Sequence, residues 1–79
     1  MCTSIALTGK HLIFGRNMDL DGDFGGCATV LPRRAPLALR RMPAIREHYA
    51  VLGMARTVEG YPLYADGMNE HGLCMAGLA

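Results

Sequence analysis

The stretch that decides how this chain is read is residues 1–23, MCTSIALTGKHLIFGRNMDLDGD. Two apolar, partly β-branched runs, CTSIALT (2–8) and HLIFGRN (11–17), flank a turn at Gly9 and Lys10, which is the pattern of a β-hairpin. A cysteine directly behind Met1 is an odd structural choice, because chain termini order poorly unless something ties them down. Removal of Met1, which a small second residue permits, would leave Cys2 with a thiol and a free α-amine together. The two groups have reference pKa values of about 8.5 and about 7.7–8.0, so the amine can serve as base for the thiol. Such a nucleophile needs groups that orient the amine and donors for the developing oxyanion.

Hairpin geometry nominates partners for Cys2. A two-residue turn sets Cys2 opposite Asn17 and makes Asp19 its diagonal neighbour. A three-residue turn slips the register by one and gives that place to Arg16. No single regular register supplies both; a bulge, or a second strand that stops near Asn17, is needed to gather Arg16 and Asp19 at the thiol. An aspartate there would hold or align the amine, and an arginine would favour the thiolate.

Outward from the hairpin, DLDGDFGG (19–26) is a turn-rich loop, CATVLP (27–32) a short strand stopped by Pro32, and HYAVLGMAR (48–56) a further strand. YPLYADGMNEHG (61–72) and LCMAGLA (73–79) predict a strand, a tight Asn/Gly turn and a returning strand. No segment carries the periodicity of an amphipathic helix. Between the strands, RRAPLALRRMPAIR (33–46) holds five arginines and two prolines and reads as a solvated connection or edge hairpin. Without interleaved aromatic residues it makes a poor nucleic-acid surface.

A chain of this length buries only roughly 60% of its unfolded surface, yet this one is 51% hydrophobic and only 19% charged. That balance, and an end at Ala79 inside an apolar run, predict a piece of a larger core. The net charge of +1 implies no general attraction to nucleic acid or membrane. Three cysteines without a close pair point to a reducing compartment, and no targeting or membrane-spanning pattern is present, so the expectation is cytoplasmic. Cys27 and Cys74 read as small buried hydrophobes, and Met42, Met54, Met68 and Met75 as core or interface filler. Glu70 reads as a turn residue.

Metal chemistry finds no support. Asp19, Asp21 and Asp23 alternate as in a calcium loop, but Phe24 and Val30 occupy the places where an EF-hand needs Gly and Glu. His71 and Cys74 are spaced like half a zinc site with no second half.

MCTSIAL and GRNMD, followed by YAVLGM and YPLYADGMNEHGLCMAGL, resemble in order the start of the choloylglycine hydrolase family, the bile salt hydrolases and penicillin V acylases among the N-terminal nucleophile (Ntn) hydrolases. The resemblance implies an α+β protein: residues 1–79 would be the β-rich N-terminal part of one four-layer αββα domain. It implies Cys2 as nucleophile with Arg16 and Asp19 around it, Met18, Leu20, Phe24 and Tyr61 toward the substrate, and the backbone N–H of Ala79 toward the oxyanion. The implied reaction is hydrolysis of a small-molecule N-acyl amide, foremost a conjugated bile salt, without metal or organic cofactor. A penicillin V acylase-like amidase is the alternative, and an inactive truncated fragment with a structural role is the alternative of another class. Ala79 stands where bile-salt-preferring members carry Asn and penicillin-preferring ones Tyr, so the side-chain clue to substrate is missing. Self-association into a homo-oligomer is left open.

Overall fold

The computed structural model describes residues 1–19, 22–39 and 41–78. Seven strands run in chain order: β1 (Thr3–Thr8), β2 (Leu12–Asn17), β3 (Cys27–Leu31), β4 (Val51–Val58), β5 (Tyr61–Tyr64), β6 (Asp66–Asn69) and β7 (Cys74–Ala76). Among the described residues there is no helix, and so none long and apolar enough to cross a membrane.

β1 and β2 form a two-stranded antiparallel sheet, with Thr3 opposite Asn17 and Thr8 opposite Leu12. That pairing leaves Gly9, Lys10 and His11 as a three-residue turn, closed by a bond from the Gly9 N–H to the His11 carbonyl. The remaining strands form one antiparallel sheet ordered β3-β4-β6-β7, with β5 also on β4. The β4–β5 turn places Glu59 (φ 52°) and Gly60 (φ 78°) in the left-handed region, as a two-residue turn matched to strand twist requires.

β5 and β6 lie along the same edge of β4, out of step by one residue. Ala55 pairs with Tyr64 and Val58 with Tyr61, whereas Leu52 pairs with Met68 and Val51 with Asn69. The extra residue makes a β-bulge at Ala65–Asp66. The single strand anticipated over this region is therefore split. Gly53 makes the close approach possible: a Cβ there would sit 2.1 Å from the Asp66 carbonyl oxygen and 2.9 Å from the Gly67 Cα.

The arginine-rich connection is the edge hairpin anticipated for it in rudimentary form. Leu37 and Ile45 exchange both backbone bonds at 2.9 Å, and the His48 N–H reaches the Arg33 carbonyl at 3.1 Å. Glu70, expected only to sit in a turn, pins this loop to the sheet. Its carboxylate accepts from Arg33 Nε at 2.8 Å and from the Ala50 N–H at 3.1 Å.

Only Cys2 and Ala55 are buried hydrophobic residues among those described. Ile5, Leu7, Ile13, Val30, Leu52 and Met75 stand exposed on the sheets. This corrects part of the sequence reading: Cys27 is exposed, Cys74 half-buried, and Met42, Met54 and Met75 are exposed and fill no core. A strand buries a side chain only where a second layer covers its face, and among the described residues no second layer covers these faces.

Candidate active site

Cys2 lies just before β1 and is 9% exposed, the one chemically reactive side chain buried among the described residues. Continuing the hairpin register by one residue sets it opposite Met18, with Arg16 as its diagonal neighbour. Cys2, Arg16, Met18, Phe24, Tyr64 and Gly77 all line a cavity of about 300 Å³. A neighbouring cavity of about 430 Å³ shares Arg16, Met18 and Phe24 and adds Asp23, Met54 and Asp66.

Arg16 joins the hairpin to the second sheet. Its Nη1 donates to the Ala65 carbonyl at 2.8 Å, its Nη2 to the Gly77 carbonyl, and its Nε to the Asn17 carbonyl at 3.2 Å. Nη1 also stands 3.6 Å from Asp66 Oδ2, and the two side chains are only 8% and 16% exposed. The bulge makes these bonds available. The Ala65 carbonyl accepts the Gly77 N–H at 2.9 Å as well as Arg16, and Asp66 Oδ1 accepts the Met54 N–H at 2.8 Å.

Asp19 takes a different position. β2 ends at Asn17, and the chain beyond it curls so that Asp19 Oδ2 meets the Met1 ammonium at 2.9 Å. The pair is exposed, with the Met1 side chain 92% and the Asp19 side chain 68% accessible. Asp19 thus attends the chain's terminal amine but lines neither cavity. Asn17 supports the same corner by accepting the Thr3 N–H on its side-chain oxygen at 2.6 Å.

Phe24 reaches the site because the loop tightens behind it. Asp23 Oδ1 caps the Gly25 N–H at 2.8 Å, and the ring lies over Gly26, where a Cβ would meet it at 2.6 Å. Tyr61 is not brought to Cys2: it opens β5 beside the β4–β5 turn, while Tyr64, three residues on, lines the cavity. Burial pushes the Tyr64 phenol up, and its hydroxyl donates to the Thr29 carbonyl at 3.4 Å. Leu20 and Ala79 lie outside the described residues.

Sequence reasoning missed Tyr64, Asp66 and Gly77. An aspartate followed by glycine inside a strand pattern is a bulge signal, and it was available in ADG (65–67). No group of three or more potential metal ligands occurs among the described residues.

The hairpin beside a bulged antiparallel sheet matches the N-terminal segment of an Ntn-type amide hydrolase fold. The chain belongs to the choloylglycine hydrolase family of linear amide C–N hydrolases, whose profile matches residues 2–79. It is 45% identical over 78 residues to a bile salt hydrolase/transferase of Lactiplantibacillus plantarum, covering 99% of this chain and 24% of that protein. It is 44% identical over 82 residues to a bile salt hydrolase/transferase of Clostridium perfringens, covering 99% and 25%. The crystal structure of the C2A mutant of the conjugated bile acid hydrolase from Clostridium perfringens superposes with a TM-score of 0.84 at 41% identity, over 99% of this chain and 25% of that one. The chain therefore spans only a quarter of the length of these relatives.

Proposed function

We propose that this chain forms the nucleophile-bearing segment, residues 1–79 of one larger domain, of a hydrolase that cleaves the amide bond of a conjugated bile salt. The observation that carries the reading is Cys2, buried at 9% exposure in a cavity it shares with Arg16, Met18 and Phe24. After removal of Met1, the Cys2 amine takes the thiol proton, and the sulfur attacks the amide carbonyl. Collapse of the tetrahedral intermediate breaks the C–N bond, and the proton held on the Cys2 amine goes to the departing amine. Water then attacks the thioester, with the same amine as base, and releases the carboxylic acid. Arg16 favours the thiolate, Asp19, which pairs with the Met1 ammonium before processing, orients the Cys2 amine once Met1 is gone, and Met18 and Phe24 give the acyl group an apolar wall. Leu20, Tyr61 and the Ala79 N–H keep the substrate and oxyanion roles that the family resemblance implies. The exposed apolar faces support a segment completed by further layers, and the cysteine pattern supports a reducing, cytoplasmic setting.

Amine release from a glycine-conjugated bile salt and from penicillin V, measured for the purified chain beside its Cys2→Ala variant, tests this. Release from the bile salt that disappears in the variant is the expected result, and Cys2→Ser is expected to abolish it as well. Equal release from parent and variants would refute the thiol mechanism. Preferential release from penicillin V would replace the substrate, and no release by the parent would overturn activity for this chain by itself.

A further inference from the structure

We propose that Asp66 is the positioning residue that holds the Arg16 guanidinium against the Cys2 pocket and so sets the reactivity of the thiol. The inference rests on the reading of Cys2 as nucleophile.

Three observations carry it. First, Arg16 is a nearly buried cation: its side chain is 8% exposed, and the guanidinium needs a charged partner to offset the water it has lost. Its bonds to the Ala65, Gly77 and Asn17 carbonyls satisfy donors without neutralising charge. Among the described residues, Asp66 is the carboxylate in ion-pair range of it, with Oδ2 3.6 Å from Nη1. Second, Asp66 is itself fixed. Its other oxygen accepts the Met54 N–H at 2.8 Å, so the carboxylate is braced on β4 before it meets Arg16. Third, the fold spends irregular backbone to put it there. The one-residue bulge re-aims Asp66, and Gly53 leaves the space that lets β6 approach β4 so closely.

The alternative is that Asp66 only holds two sheets together. A purely structural brace and a positioning residue differ in what they do to Cys2. An arginine held at the pocket favours the thiolate; an arginine released to solvent does not. If Asp66 merely screened an Arg16 already fixed by carbonyls, its loss would instead strengthen the positive field and favour the thiolate further.

The test is alkylation of Cys2 by iodoacetamide as a function of pH, on the Met1-processed chain, resolved by peptide mass spectrometry so that Cys27 and Cys74 act as internal references. Asp66→Asn keeps an acceptor for the Met54 N–H and removes only the charge. In that variant the Cys2 alkylation midpoint is expected to rise by about one pH unit, slowing the reaction at neutral pH by roughly three- to tenfold. Arg16→Lys is expected to give a similar rise, with Asp66→Asn adding nothing in that background. An unchanged midpoint, a lowered one, or additive effects would each overturn the proposal. Should Asp66→Asn lose the parent's sheet signal in circular dichroism, the unsubstituted chain decides by NMR. The Arg16 Nη resonances must then move together with the Asp66 carboxyl on acid titration, and independent titration overturns the proposal. Thiol reactivity is read without substrate, so the positioning role is decided separately from amide hydrolysis. An inert Asp66 beside a Cys2 essential for amine release sinks only the positioning role, whereas a Cys2 dispensable for amine release sinks the nucleophile reading.

Discussion

Gly53→Ala is the substitution that tests the geometry of the site most directly, because its effect can be worked from distances. The added Cβ would lie 2.1 Å from the Asp66 carbonyl oxygen and 2.9 Å from both the Asp66 carbonyl carbon and the Gly67 Cα. All three are backbone atoms, so no side-chain rotation relieves the clash. Ordinary contact begins near 3.4 Å, and the shortfall against 2.1 Å means β6 must withdraw from β4 by about 1.3 Å. Two bonds stretch beyond use in that movement, from the Met54 N–H to Asp66 Oδ1 at 2.8 Å and from the Ala65 N–H to the Met54 carbonyl at 2.9 Å. At about 1 kcal/mol net for each, with overpacking strain of about 1–3 kcal/mol, the β4–β6 junction loses about 3 kcal/mol or more. That corresponds to an opening equilibrium raised by roughly a hundredfold. Amide hydrogen exchange at Met54 and Ala65 reads it locally, with the β1–β2 amides as internal reference. Gly15→Ala, whose Cβ would meet only an Ile5 methyl at 3.8 Å, serves as the matched control. Exchange at Met54 and Ala65 no faster in Gly53→Ala than in Gly15→Ala would refute the close approach, and with it the placement of Asp66.

Two pH responses follow from the loop that Glu70 pins. The Arg33 guanidinium and the Ala50 N–H hold the Glu70 carboxyl down at about 2, against an ordinary 4.5. A depressed carboxyl contributes stability above its unfolded value and loses it as pH falls through the folded one. Protection of the Ala50 amide is therefore expected to drop between about 4.5 and about 2, and protection retained below that window would show that the pair does not hold the loop. His48 runs the other way. Its ring nitrogens face the Tyr49 and Ala35 carbonyls at 2.8 and 2.7 Å, and those bonds favour the imidazolium and raise its pKa above 6.5. A raised value contributes stability below 6.5 that is lost as pH rises through the folded pKa, so protection of the His48 amide bonded to Arg33 should fall on the alkaline side. An NMR titration of His48 with a midpoint at or below the ordinary 6.5 would refute it.

The hairpin and the run of short strands were legible in the sequence because they rest on local rules. Apolar alternation and turn residues define strands within a few positions, and a cysteine behind Met1 has a chemistry of its own. The register between β1 and β2 was not fixed by those rules, since a two- or a three-residue turn fits the same letters. The structure selects the turn over Gly9, Lys10 and His11, which makes Arg16 the diagonal neighbour of Cys2. Asp19 reaches the terminal amine only because β2 stops at Asn17.

Burial was misjudged where residue type stood in for environment. Cys27 and Met75 are apolar enough for a core, but whether a face is covered depends on a second layer that no local pattern encodes. Glu70 does sit in the turn after β6, as read, but its bond to Arg33, 37 positions away in the chain, was not legible in any local pattern.

What the sequence determined by itself was the strand-rich character and the family, each carried by residues adjacent or near one another in the chain. What only the tertiary structure decided was the company that Cys2 keeps. Arg16, Tyr64, Asp66 and Gly77 meet across two sheets through a one-residue bulge and a glycine without a Cβ. Contacts between residues some fifty positions apart are set by strand registry and backbone approach, and neither is written in the local order of side chains.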